Sequence, residues 1–181
     1  MLRRIFAGSR RSQGAAPAVP DHQRVYAIGD IHGRIDLLGD LHERILADAD
    51  AAGAPHRTVV YLGDYVDRGY HSREVLDHLL SGPLPGFETV HLLGNHEEFL
   101  LEFAGSLRNA RVWLYNGGDT TLASYGVEVP PVVREDEDLA EVLDEGEELY
   151  EGPWEAFVVA VWGAEALLAA TERASAGRAS R

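Results

Sequence analysis

Three times before residue 96 the chain repeats one local design: a short β-prone run, then glycine, then aspartate or asparagine. The runs are Val25 to Ile28, Val59 to Leu62 and Val90 to Leu93, and the pairs directly after them are Gly29-Asp30, Gly63-Asp64 and Gly94-Asn95. Between them apolar residues recur with helical period. Leu37, Leu38, Leu41, Ile45 and Leu46 make one face, and Val75, Leu76, Leu79 and Leu80 a second. A third face, Phe99, Leu100, Phe103 and Leu107, comes after the last run. Alternating strands and helices are the pattern of βαβ units, whose crossovers make the strands parallel and bring their carboxyl ends to one edge, where ligands bind in open α/β sheets. Glycine after a strand lets the chain turn without a Cβ penalty and aims the next side chain into that crevice. One such pair is an ordinary turn; three in phase predict that Asp30, Asp64 and Asn95 converge.

The 181 residues are 45% hydrophobic and 25% charged, the proportions of one domain with a short appendage, which excludes a disordered or collagen-like chain. No cysteine is present, so thiolate and disulfide chemistry are excluded. Sixteen basic against 30 acidic residues give a net charge of -14, which argues against general nucleic-acid binding by phosphate neutralisation. The acidity is concentrated from residue 97 onward, with 18 acidic and 6 basic positions, whereas all eight histidines fall at or before His96. Three regions are expected: a flexible Arg-rich arm over 1–22, an α/β body over 23–129, and an acidic then Ala-rich helical tail over 130–181. No apolar run is long enough to span a bilayer and no secretory signal pattern is seen, so neither a membrane association nor export is expected and a cytoplasmic location is.

Asp30 and His32 lie two residues apart, on one side of an extended segment, so both can reach one ion. Asp64 adds a second carboxylate and Asn95 a neutral amide oxygen. Oxygen donors with one imidazole suit a borderline divalent ion such as Mn²⁺, Fe²⁺ or Zn²⁺. If Asp64 bridges, two ions roughly 3.5 to 4 Å apart can activate water and clamp an in-line displacement at phosphorus. Asp67 and Arg68 come shortly after Asp64, and His96 is next to Asn95. Arg68 can fork onto phosphate oxygens, and His96, with its pKa raised by Asp67, can protonate a leaving alkoxide.

These runs, Gly-Asp-Ile-His-Gly at 29–33, Gly-Asp-Tyr-Val-Asp-Arg-Gly at 63–69 and Gly-Asn-His-Glu at 94–97, resemble the three amino-proximal signatures of the phosphoprotein phosphatase branch of calcineurin-like metallophosphoesterases. The segment 113–126 is similar to the next stretch of bacterial and phage serine/threonine protein phosphatases, and Leu93 stands where many eukaryotic relatives carry arginine. The resemblance implies a β-sandwich of two sheets flanked by helices. It also implies metal ligands Asp30, His32 and Asp64 for a first ion, Asp64 and Asn95 for part of a second, Arg68 as phosphate clamp, and His96 with Asp67 as proton relay. Manganese is the expected ion, with iron or zinc as alternatives, and the implied substrate is a phosphoprotein or a small phosphorylated molecule.

The family completes its second metal with carboxyl-half histidines in His-Ala-Gly-like and Gly-His-Thr-like contexts, and no histidine occurs after His96 here. The expectation is therefore an incomplete sandwich with a weak second site, and a rearranged tail from about residue 130. A phosphatase of the serine/threonine type is the leading reading. A diadenosine tetraphosphate hydrolase shares its motif class, and a non-catalytic phosphoprotein binder or relic is the alternative outside enzymology.

Overall fold

The computed structural model describes residues 18–103, 107–127 and 129. Each β-prone run forms a strand: β1 (Gln23–Ile28), β2 (His56–Tyr61) and β3 (Glu88–His91). They pair in parallel in the order β1-β2-β3, with Tyr26 opposite Val59 and Val59 opposite Thr89. The crossovers are α1 (Ile35–Ala52) and α2 (Ser72–Leu80). Right-handed crossovers in a sheet of this order put both helices on one face, and α1 packs on α2. After β3 come α3 (Asn95–Glu102), α4 (Leu107–Trp113), a wide turn over Leu114–Gly118, and α5 (Asp119–Ser124).

This is a mixed α/β arrangement holding one three-stranded parallel sheet among the described residues, where the resemblance implies a sandwich of two. Residues 1–17 of the arm expected over 1–22 and the whole of the tail expected over 130–181 lie outside the described residues. Among the described residues no helix is long and apolar enough to cross a membrane.

The covered face of the sheet presents Ile28, Val59 and Tyr61 to Leu38 and Ile45 of α1 and to Val75, Leu76 and Leu79 of α2, in one core that continues through Tyr65, Leu100, Phe103, Trp113 and Leu122. On the opposite face Val25 and Val90 are exposed, although parallel sheets are as a rule covered on both sides. The third strand begins and ends earlier than its apolar run suggests, so Leu92 and Leu93 belong to the loop before Gly94. The third helical face is likewise divided between α3 and α4.

The buried stripe of α1 also differs from the expected one. It runs Leu38, His42, Ile45 and Ala49, while Leu37 and Leu41 are exposed. A histidine can occupy the core because both ring nitrogens are satisfied: Nε2 lies 2.9 Å from the Tyr61 hydroxyl and Nδ1 lies 3.0 Å from Nε2 of His78. Neutral rings fit this chain, with Tyr61 donating to His42 and His42 donating to His78. Burial, assisted by His78, depresses the His42 pKa from 6.5 to about 4.

A folded pKa below the unfolded one means that the unfolded chain takes up its proton first. The stabilisation from neutral His42 is complete above pH 6.5 and is lost as pH falls toward about 4. Against His42→Gln, the wild-type advantage in urea unfolding is expected to shrink by about 2 kcal/mol between pH 7 and about pH 4.5. Other titrating groups largely cancel in that difference, and a constant gap would show that His42 is not held neutral.

Candidate active site

The loops leaving β1, β2 and β3 meet at one edge, as the strand pattern predicts. The two inner loops touch so closely that glycine is required: Gly63 has φ +102°, and a Cβ added there would lie 2.4 Å from the Gly94 backbone nitrogen. A Cβ on Gly94 would lie 2.2 Å from Asp64 Oδ1. The sharp turns expected at the glycines are in part made by other residues. His32, Asp64, Asp67 and Arg68 all have positive φ, between 46° and 71°, whereas Gly94 is extended. Left-handed backbone at non-glycine residues is costly and clusters at functional sites. Backbone bonds hold it in place: the N–H groups of Ile31 and His32 both donate to Asp64 O at 2.9 Å, and Gly33 N–H donates to Tyr65 O.

Within this edge the side chains of His32, Asp64 and His96 each place a ligating atom within 4.8 Å of the others. The Nδ1 of His32 lies 2.8 Å from the Val66 carbonyl oxygen and donates to it, which leaves the Nε2 lone pair facing the centre. The Nδ1 of His96 lies 2.8 Å from Asp67 Oδ2, with both groups buried. The Arg68 guanidinium spans the two rings, 2.9 Å from His32 Nε2 and 3.0 Å from His96 Nε2. Two imidazole lone pairs thus already face a positive charge, and with the Asp64 carboxylate beside them the donor set fits a divalent cation. Asp64 Oδ1 also accepts the His96 N–H at 3.1 Å.

Two further residues assigned from sequence are exposed to solvent. The Asp30 carboxylate is 3.8 Å from His32 Nε2 and 68% exposed. Asn95 opens α3 and is exposed.

Asp67 is completely buried and heavily hydrogen-bonded. Besides His96, its carboxylate accepts the Trp113 indole N–H at 2.9 and 3.1 Å and the Thr121 hydroxyl at 2.7 Å. The Thr121 oxygen in turn accepts the Asp67 N–H at 2.8 Å and lies 3.0 Å from Ser72 Oγ. Gly117 O accepts the Arg68 N–H. The hydrogen bond to Asp67 raises the His96 pKa above the ordinary histidine value against the opposing effect of burial.

Sequence reasoning gave no role to Trp113, Thr121, Ser72 or Glu97. Trp113 and Thr121 lie in the segment 113–126 that resembles the bacterial and phage phosphatases, and that was the available signal. Glu97 is fully buried and burial pushes its carboxyl up to about 7, against four backbone N–H groups that favour the charged form.

Comparison with known proteins agrees with this geometry. Residues 23–157 match the family model described as calcineurin-like phosphoesterase. A serine/threonine-protein phosphatase of Schizosaccharomyces pombe is 35% identical over 100 residues, covering 50% of this chain and 31% of that protein. A PP2A-like serine/threonine-protein phosphatase of Candida albicans is 40% identical over 75 residues, 40% of this chain and 16% of its own. One from Arabidopsis thaliana is 39% identical over 70 residues, 38% of this chain and 7% of its own. The matched regions thus span less than a third of the length of each of these relatives. With the family model covering well over half of its residues and a histidine-carboxylate cluster at the expected sheet edge, the chain belongs to the calcineurin-like phosphoesterase family.

Proposed function

We propose that this protein is a metal-dependent phosphomonoesterase of the serine/threonine protein phosphatase type, acting on phosphoproteins. The observation that carries the reading is the grouping of His32, Asp64 and His96 within 4.8 Å, with Arg68 between the two rings. Asp30, His32 and Asp64 would hold one cation, and Asp64 with Asn95 would contribute to a second. Mixed imidazole and carboxylate donors favour Mn²⁺ over a thiophilic ion. A bound cation of this kind supplies a water of lowered pKa and neutralises charge on phosphate.

The protein's own groups divide the remaining work. Arg68 presents a planar fork that suits two phosphate oxygens. The two histidines have different partners, and that difference supports different roles. His32 donates to a neutral carbonyl and keeps a lone pair for a cation, whereas His96 is paired with a buried carboxylate that favours its protonated form. Once phosphate draws the Arg68 fork away, His96 Nε2 is free to carry a proton and give it to the departing alkoxide, while Asp67 keeps the ring in position.

The test compares p-nitrophenyl phosphate, a phosphoserine peptide and diadenosine tetraphosphate as substrates of the full chain, with Mn²⁺ or with excess chelator. Phosphate release from the first two that is abolished by chelation is expected. Preferential cleavage of the dinucleotide would instead support the hydrolase alternative. Stoichiometric Mn²⁺ uptake with no release from any substrate would overturn the enzymatic reading in favour of phosphoprotein binding.

A further inference from the structure

Four backbone N–H groups, from two loops far apart in sequence, end on one side chain. Glu97 Oε2 accepts from Asp64 at 2.8 Å and from Gly94 at 3.0 Å, and Oε1 accepts from Tyr65 at 2.8 Å and Val66 at 3.3 Å. A carboxylate in the first turn of a helix that accepts an N–H at the cap is ordinary helix capping. Capping explains the Gly94 contact alone. The other three donors belong to the loop after β2, which carries Asp64, Asp67 and Arg68.

Glu97 therefore joins the two loops at the point where Gly63 meets Gly94. One of its four donors is the N–H of Asp64, the residue in left-handed conformation whose carboxylate faces the histidines. With both oxygens accepting, the carboxylate satisfies all four amides. Glutamine has one amide NH₂ in place of an oxygen, so two backbone N–H groups would face a donor.

We propose that Glu97 is a positioning residue for the metal centre, clamping the β2 loop to the start of α3 so that Asp64 and His96 keep their mutual distance. The proposal rests on the metallophosphoesterase reading. It gives Glu97 no contact with substrate or cation.

The test measures Mn²⁺ binding by isothermal titration in the full chain for wild type, Glu97→Gln, and a control, Val59→Ala, which removes a fully buried side chain from β2. Thermal unfolding of each protein is recorded in parallel. Glu97→Gln is expected to weaken Mn²⁺ binding by about 10- to 100-fold, in the range found when groups supporting metal ligands are removed. The control, whatever its loss of thermal stability, is expected to stay within about threefold of wild type, because its lesion lies away from the loops. Wild-type affinity in Glu97→Gln, or equal weakening in the control at matched stability, would overturn the proposal alone. A wild-type chain that takes up no Mn²⁺ would overturn it together with the metallophosphoesterase reading.

Discussion

Asp64→Asn is expected to lower phosphate release by on the order of a thousandfold and to weaken Mn²⁺ binding by at least about tenfold, while leaving the fold intact. The reason the fold survives is conformational. Asp64 has φ +55°, and asparagine is among the few residues that enter this region readily. The backbone bonds from Asp64 N–H to Glu97 and to Asp64 O from Ile31 and His32 do not involve the side chain. The amide oxygen of asparagine can still accept the His96 N–H. What disappears is a negative charge at the meeting point of the ligands, with one of its two oxygen acceptors. Measured turnover, Mn²⁺ titration and melting temperature together separate this from unfolding. Retention of more than about a tenth of wild-type turnover in a stably folded variant would remove Asp64 from the centre.

The second large effect is expected at Asp67→Asn, and there stability and chemistry fall together. The carboxylate is fully buried and receives donors from three sides: His96, Trp113 and Thr121. Asparagine must turn its NH₂ toward at least one of them, so donor meets donor in a site without room for rearrangement. If the NH₂ faces His96, Nδ1 must accept instead of donate, the hydrogen on Nε2 is turned against the Arg68 guanidinium, and the ring loses the anion that favours its protonated form. Breaking a buried ion pair by changing one partner costs about 3 to 5 kcal/mol. Loss of an orienting carboxylate behind a catalytic histidine reduces turnover by about 10² to 10⁴-fold. Urea unfolding and kcat on a phosphoserine peptide, whose alkoxide leaving group needs the proton, check the two parts independently. A variant that loses stability but keeps kcat within about threefold would make Asp67 purely structural and remove His96 from proton transfer.

Much of this could be read from local sequence because the governing pattern is local. A β-prone run with glycine and a polar residue behind it announces both a strand and the aim of one side chain, and three in phase announce a shared edge. Hence the parallel strands, the two crossovers and the meeting of Asp64 with His32 and His96 are encoded by residues near one another. The contributions of Glu97 and Thr121 are not. Glu97 looks from sequence like a helix-capping glutamate, and only the approach of the β2 loop reveals three further donors. Thr121 is 54 residues from Asp67 and nothing in either neighbourhood encodes the pairing. The left-handed residues were also hidden, since glycine is where such backbone is sought, and packing imposes it on Asp64, Asp67 and Arg68 instead. His42 was missed as a core residue because its fitness for burial depends on Tyr61 and His78, one on a strand and one on another helix.

The contacts that assemble the centre join partners 28 residues apart, for Arg68 with His96, up to 54 for Asp67 with Thr121. Such closures bear a chain-entropy penalty before any bond repays it, whereas the helices need only near neighbours. The parallel strands close over similar spans, Gln23 to His56 and Thr58 to Glu88, so the loops and the sheet bear a like penalty and support one another. A cation bound where the three loops meet would tie the ends of all three strands together and favour the folded chain over the unfolded one in proportion to its occupancy.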